Sequence, residues 1–478
     1  MTTTNTDNIR VPMLIGGKWI YGEKEREIVD PYRGDIVSRA PESTLADLDA
    51  ALEAAVAAKS VAAAMPGYER TELLRRAAAL VGERYAEIAE IMCRETGKAI
   101  NDCETEVKRS VDTLMLSADE AVKITGEHVP LDSAPMGAGK IAFMLRFPVG
   151  VVGAITPFNA PFNLAVHKIG PSIAAGNAIV LKAPPQAPRT VHCLAQIFQD
   201  AGAPAGMVNV LYGDIVGPEL VKDTRVDFVT FTGSTKAGAA IRATAGLKRV
   251  ALELGGIGPT IVHSDADIDE AAQTCARNSM RLSGQSCISV QNIFVHSSVI
   301  TAFTEKLVAA AAKMRFGDPM DRATDVGTVI NVAAATRIES AINEAVAGGA
   351  RILLGGKRHG AQIEPTILTG VDLDMEITCK EVFGPVCSVQ PYDDIEAIFR
   401  HISEHEFGLQ AGVYTASLKL AIRAAKAIRS GAVILNGTST FRVDQLAYGG
   451  VKSSGIGREG PHYAVKEMTE ERLIVFNV

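Results

Sequence analysis

From residue 149 onward, apolar strand-like runs alternate with helical segments, and that alternation constrains the fold more than any other feature of the chain. Runs at 149–155, 178–182, 207–212, 227–231 and 249–254 read as strands, with helical spacing over 190–201 and 237–245. Strands joined by helical crossovers lie parallel, with helices covering both faces of the sheet. The pattern restarts at 259–263, followed by a helix over 267–283, a strand over 292–296 and a helix over 299–314. A second α/β unit therefore begins near Glu253. Upstream, 46–64 and 69–95 are Ala-rich with helical apolar spacing, parted by Pro66-Gly67, and 104–124 is a further helix. Two stretches fit neither unit. One is 129–147, where Pro and Gly precede an alternating run at 140–146; the other is the short apolar strand 472–476. Strands of that kind need an edge to pair with.

The chain has 478 residues, 47% hydrophobic and 22% charged, which is enough for two or three large cores. A net charge of −7 with no long basic run argues against a nucleic-acid partner. The polar, Thr-rich start over 1–8 does not read as a signal peptide. The apolar stretch 149–181 is interrupted by Pro157, Asn159, Pro161, His167, Lys168 and Pro171, so it is no membrane span. Seven cysteines without a CxxC pair suit a reduced, cytoplasmic protein.

Four segments carry chemistry. Cys287 follows Gly284-Gln285-Ser286, a polar and open approach unlike that of the other cysteines. An ionised thiol is a strong nucleophile. Glu253 ends a strand before Gly255-Gly256, where a carboxylate partly withdrawn from water has a raised pKa suited to a general base. Its bland reading is a strand-end surface charge. Asn159 follows Pro157-Phe158 at a strand-to-helix turn; its amide can donate to a developing alkoxide, or simply cap the helix. The run from Phe231-Thr232-Gly233-Ser234 to Gly238 leads from strand to helix, and a helix N-terminus attracts a diphosphate.

In this order, Pro157-Phe158-Asn159, Leu252-Glu253-Leu254-Gly255-Gly256, the Cys287 segment and Glu381-Val382-Phe383-Gly384-Pro385 resemble the aldehyde dehydrogenase superfamily across nearly the whole chain. The resemblance implies an α/β fold with a Rossmann-like cofactor domain (1–127 and 147–253) and a catalytic domain (254–447). It further implies a return segment (448–461) and a small β oligomerisation domain (128–146 and 462–478). It implies Cys287 as nucleophile, Glu253 as general base, Asn159 as oxyanion donor and Glu459 near the water path. For NAD or NADP it implies Ile155, Thr156, Pro157, Phe158, Lys182, Pro185, Gly213, Phe231, Thr232, Gly233, Ser234, Gly238, Leu254, Gly255, Glu381 and Phe383. It implies no metal and a homo-oligomer, a dimer or tetramer, in which the tail over 472–476 pairs with 140–146 of another subunit. The alternative is an ordinary hairpin on the same subunit.

The expected reaction is oxidation of a small aldehyde to its acid through a cysteine thiohemiacetal and a thioester. The alternatives are a CoA-acylating semialdehyde dehydrogenase, a branch that commonly lacks the residue equivalent to Glu253, and a catalytically silent binding protein on the same scaffold. Pro185 stands where NAD-preferring relatives often carry a ribose-gripping glutamate, so NADP is expected to be accepted and a preference for it is open. Thr440-Phe441-Arg442-Val443-Asp444-Gln445 resembles the branch acting on lactaldehyde, glyceraldehyde 3-phosphate (without phosphorylation) or phosphonoacetaldehyde. Arg109 and Arg442 could meet an anionic tail there, or serve structural roles. His401-Ile402-Ser403-Glu404-His405 fits a zinc-protease pattern, but Phe407-Gly408 closes that helix at once, so a metal is not expected.

Overall fold

The computed structural model describes residues 9–477; the polar segment 1–8 lies outside the described residues. Two sheets organise the chain. The first has five parallel strands in the spatial order Val208–Leu211, Ala178–Lys182, Val151–Ile155, Phe228–Thr232, Arg249–Glu253. The order reverses between Val151–Ile155 and Phe228–Thr232, and ligands bind beyond the carboxyl ends of strands at such a switch point. Antiparallel strands close both flanks: Met13–Ile15 and Lys18–Ile20 on one side, Gly455–Ile456 on the other. The second sheet has six parallel strands, Thr366–Thr369, Val386–Tyr392, Asn292–His296, Thr260–Val262, Gln410–Tyr414 and Ala432–Leu435, with antiparallel Arg351–Leu354 at its edge.

Helices cover these sheets for local reasons. Helix Leu45–Ala64 begins with a capping box, in which Thr44 accepts from Asp47 N and Asp47 accepts from Thr44 N. Helix Gly67–Thr96 ends at Gly97, which takes the left-handed φ of 71° that a side chain would resist. Helix Pro161–Ala175 is buried at every position, so it faces the core all round rather than along one stripe, its polar residues Asn163, His167, Lys168 and Ser172 included. Its N-terminal donors are met from outside: Glu106 Oε1 accepts from Phe162 N at 2.9 Å and Asn163 N at 3.0 Å.

The third sheet corrects one expectation. Thr469–Asn477 pairs antiparallel with Lys140–Pro148 of its own chain, from Thr469↔Pro148 to Asn477↔Lys140, and Glu127–Val129 takes the other edge. The tail thus occupies, along its whole length, one edge of the strand expected to receive it from another subunit. The outer edge of Thr469–Asn477 has no partner strand among the described residues. Ile141, Phe143, Leu145, Leu473, Val475 and Phe476 on this small sheet are exposed.

Candidate active site

Cys287 is delivered by a strained turn. Helix Ile268–Met280 stops three residues before the expected end, and Leu282, Ser283 and Gly284 follow with φ of 54°, 52° and 69°. Two non-glycine residues in the left-handed region store strain, which clusters at functional sites. A Cβ on Gly284 would lie 1.8 Å from Gly384 O, so the turn cannot relax there. Cys287 packs with Ile288, Leu409 and Tyr448, and its Sγ lies 2.9 Å from Tyr448 Oη. Burial pushes the Cys287 thiol up to about 12, against the Tyr448 hydroxyl and the Arg442 charge, which favour the thiolate.

Cys287 opens on a cavity of about 390 Å³ that it shares with Asn159, Glu253, Glu381, Phe158, Phe383 and Glu459. Glu253 is buried and neither carboxylate oxygen has a hydrogen-bond partner among the described residues. Burial, then the charge of Glu459, holds it well above the usual carboxylate range. Asn159 is not the helix cap; that position belongs to Ala160. Its Nδ2 donates to Gln285 O at 3.0 Å, and Lys98 Nζ holds its own carbonyl at 3.2 Å. One amide hydrogen therefore ties Asn159 to the Cys287 turn and the other is left for the cavity.

The cofactor residues fall along one path. Phe228–Thr232 ends at the cavity, and Ser234 caps helix Thr235–Thr244 by accepting from Ala237 N. Gly238 is required by packing, since a Cβ there would lie 2.4 Å from Leu254 Cδ2. Glu381 sits against Gly255 and accepts from Gly256 N at 3.4 Å; burial raises it to about 7. Phe383 has a left-handed φ of 53° and meets Phe158 edge-on at 5.9 Å. Past the helix N-terminus a second cavity of about 240 Å³ is lined by Ile155, Phe231, Lys182 and Asp214. Thr156 is buried with its hydroxyl unpartnered, and Gly213 has a φ of 85°. Pro185 lies in the turn before helix Pro188–Asp200 and does not line that cavity. Two cavities on either side of the Thr235–Thr244 helix N-terminus, lined by consecutive residues of strand Phe228–Thr232, and orphaned polar atoms fit an extended dinucleotide.

The two arginines expected to meet a substrate anion are engaged by carboxylates. Arg109 gives Nη2 and Nε to Asp444 at 2.6 and 3.2 Å, and Asp444 also meets His167 Nε2 at 3.0 Å. Arg442 is bonded to Glu459, and its guanidinium lies 3.9 Å from the Tyr448 ring centre. Lys168 Nζ reaches the other Glu459 oxygen at 2.8 Å. Burial alone would raise Glu459, but Lys168, His167 and Arg442 hold it well below the usual range. Arg281 also lines the cavity, and no ion pair engages it among the described residues. Sequence reasoning gave Tyr448, Arg281 and Lys168 no role. The last had a signal, a lysine inside an otherwise apolar helix. His401 and His405 instead pack their rings on Phe294 and Phe407.

The aldehyde dehydrogenase family model matches residues 19–474, and the chain belongs to that family. A 3-sulfolactaldehyde dehydrogenase of Priestia megaterium is 44% identical over 98% of both chains. A lactaldehyde dehydrogenase of Methanocaldococcus jannaschii is 38% identical over 97% of this chain and 100% of its own. Among solved structures, aldehyde dehydrogenase 21 of Physcomitrella patens, in complex with the reaction product succinate, superimposes with a TM-score of 0.95 at 37% identity, covering 98% of each chain. The glyceraldehyde-3-phosphate dehydrogenase GapN of Methanocaldococcus jannaschii, complexed with NADP, gives 0.92 at 36% identity over 95% and 100% of the two chains. The protein is thus an oxidoreductase that oxidises a small aldehyde with NAD or NADP. No described helix is long and apolar enough to cross a membrane.

Proposed function

We propose a hydrolytic aldehyde dehydrogenase acting on a short aldehyde with an anionic tail. One observation carries the hydrolytic reading: Cys287 and an unpartnered, buried Glu253 face the same cavity. Cys287 Sγ, in its thiolate form, attacks the aldehyde carbon, and the carbonyl oxygen becomes an alkoxide between the Asn159 amide and the Cys287 N–H. When bound, the nicotinamide accepts the hydride that leaves as the thioester forms. Glu253 then takes a proton from water, whose oxygen attacks the thioester carbonyl and expels the Cys287 thiolate, releasing the acid. A CoA-acylating enzyme would be poorly served by a base held beside the thioester. Glu381 and Phe383 are the groups to hold the nicotinamide ribose and ring, and Lys182 the adenosine end. Glu459 acts on Glu253 through charge rather than on substrate.

The anionic tail rests on Arg281. Arg109 and Arg442 already have carboxylate partners; of the two cavity guanidiniums without an ion pair among the described residues, Arg337 donates to Val382 O at 2.7 Å, which leaves Arg281. A relative's 3-sulfolactaldehyde carries a sulfonate beside the reacting aldehyde, and a structural neighbour's product, succinate, carries a second carboxylate. The test is NAD(P)H formation with short aldehydes bearing sulfonate, carboxylate, phosphate or neutral tails. Arg281→Gln should raise KM for the anionic ones by about tenfold or more, equivalent to about 1.4 kcal/mol, and leave neutral ones unchanged. Equal effects on all would remove Arg281 from the substrate site. Absence of turnover in wild type with every aldehyde, or full turnover in Cys287→Ala, would sink the reaction itself.

We also read the small sheet as the assembly surface of a homo-oligomer, a dimer or tetramer. Its support is an unpaired outer strand beside six exposed large apolar side chains.

A further inference from the structure

The adenosine end of the cofactor path carries a charge arrangement that the motifs do not announce. The cavity of about 240 Å³ has apolar walls, and its only charged lining residues are Lys182 and Asp214. Lys182 Nζ lies 3.9 Å from Asp214 Oδ1; the lysine is buried and the aspartate exposed. Arg26, on strand Glu25–Val29, reaches Asp214 Oδ2 at 2.8 Å and Glu42 Oε1 at 2.5 Å. Glu42 is pressed against Gly213, where a Cβ would lie 2.6 Å from its Oε2. Two cations and two carboxylates thus form one neutral group, and both cations already have partners. Pro185 takes no part in it.

We propose that Asp214 selects the dinucleotide, favouring NAD over NADP. The inference rests on Lys182 marking the adenosine site. A ribose 2′-hydroxyl can donate to the Asp214 carboxylate, whereas a 2′-phosphate, carrying roughly −1.5 to −2 charges, meets it as a like charge. Lys182 alone would attract that phosphate, but Asp214 sits close enough to cancel much of the pull. The acidic group missing at Pro185 is in effect supplied from the other side, by the loop after strand Val208–Leu211. NADP is still accepted, because the repelling carboxylate is exposed and its charge is screened.

Calorimetry on the full chain separates this from the cofactor reading beneath it. The probes are ADP-ribose and 2′-phospho-ADP-ribose, which carry the adenosine end without the hydride chemistry. Wild type should bind ADP-ribose the more tightly. Asp214→Asn should narrow the gap by roughly three- to tenfold, mainly by tightening the phosphorylated probe, with less narrowing at high salt. Retained ADP-ribose binding in the variant shows that it is folded. A wild type that binds the phosphorylated probe equally or better, or a gap unchanged in Asp214→Asn, overturns the selection by Asp214 while leaving the site intact. If wild type binds neither probe, the adenosine site itself is misplaced and the proposal falls with it.

Discussion

The hydroxyl of Tyr448 should control how much of Cys287 is thiolate. Tyr448→Phe isolates that hydroxyl, because the ring keeps its place under Arg442 and its packing against Ile288 and Leu409. In the thiol form either Sγ or Oη, 2.9 Å apart, can be the donor. A thiolate only accepts, so the tyrosine must then donate, and the bond favours ionisation. A hydrogen bond to a charged group contributes about 1.5–3 kcal/mol, which converts to roughly 10- to 100-fold in thiolate population. Burial sets the thiol at about 12, so at neutral pH only a small fraction is ionised and rate should follow that fraction. The assay is the second-order rate of iodoacetamide alkylation against pH, with Cys287→Ala as the blank for the other cysteines. Wild type should show a log-linear rise from neutral into alkaline pH, with no plateau near neutrality. Tyr448→Phe should run parallel and about tenfold or more lower, and the burst of NAD(P)H should slow alike. A variant that alkylates as fast as wild type, or faster, would mean the hydroxyl merely shields the sulfur.

Four further outcomes follow from the structure. Glu253→Gln should leave a burst of NAD(P)H followed by slow turnover, and wild-type deacylation should rise with pH through a limb above the usual carboxylate range; equal slowing of burst and turnover would assign Glu253 to thiol activation instead. Because its folded pKa is raised, the folded state binds the extra proton, so this contribution to stability is lost as pH rises through that folded value, and Glu253→Gln should lessen the alkaline fall in Tm. Lys98→Met leaves the buried Glu106 without its counter-charge, bonded only to the Phe162 and Asn163 N–H groups, which should cost about 3–5 kcal/mol; an unchanged urea midpoint would show that the pair contributes nothing. Changing Phe143 and Phe476 together to lysine keeps the strand pairing but charges the small sheet; light scattering should then report smaller particles, and a full-size oligomer would place the interface elsewhere.

The parallel strands of the first sheet, and Thr260–Val262 and Asn292–His296 of the second, were readable because a strand buried on both faces is a continuous apolar run; the other four parallel strands of the second sheet were not read. Ala178–Lys182 and Asn292–His296 fall where the sequence puts them, to the residue. Helix Pro161–Ala175 went unread for the opposite reason: buried all round, it has no amphipathic period, so His167 and Lys168 registered only as interruptions. The expected helix over 267–283 overran because nothing in Leu282-Ser283 signals a positive φ; tertiary contacts impose it, Leu282 N donating to Asp102 Oδ2 at 3.2 Å. The motif residues around Cys287 were legible as types. Which arginine remained available was not, because that depends on Asp444 and Glu459 arriving from a distant segment.

The same long-range contacts explain how one cavity keeps two carboxylates in different states. Glu253 and Glu459 feel each other's charge, so ionising both at once is unfavourable. The cations break the tie. Lys168 and Arg442 bond directly to Glu459, whereas they act on Glu253 only through space. Glu459 therefore holds its negative charge firmly and Glu253 ionises less readily, and pairs of groups whose environments push them apart in this way divide acid and base duties. The arrangement leaves Glu253 without a fixed partner, its oxygens available to water in the cavity. It also places Arg442 between the carboxylates and Tyr448, which in turn touches Cys287. The nucleophile and the base are thus tuned by one buried network, and a change at Glu459 should move the titration of both.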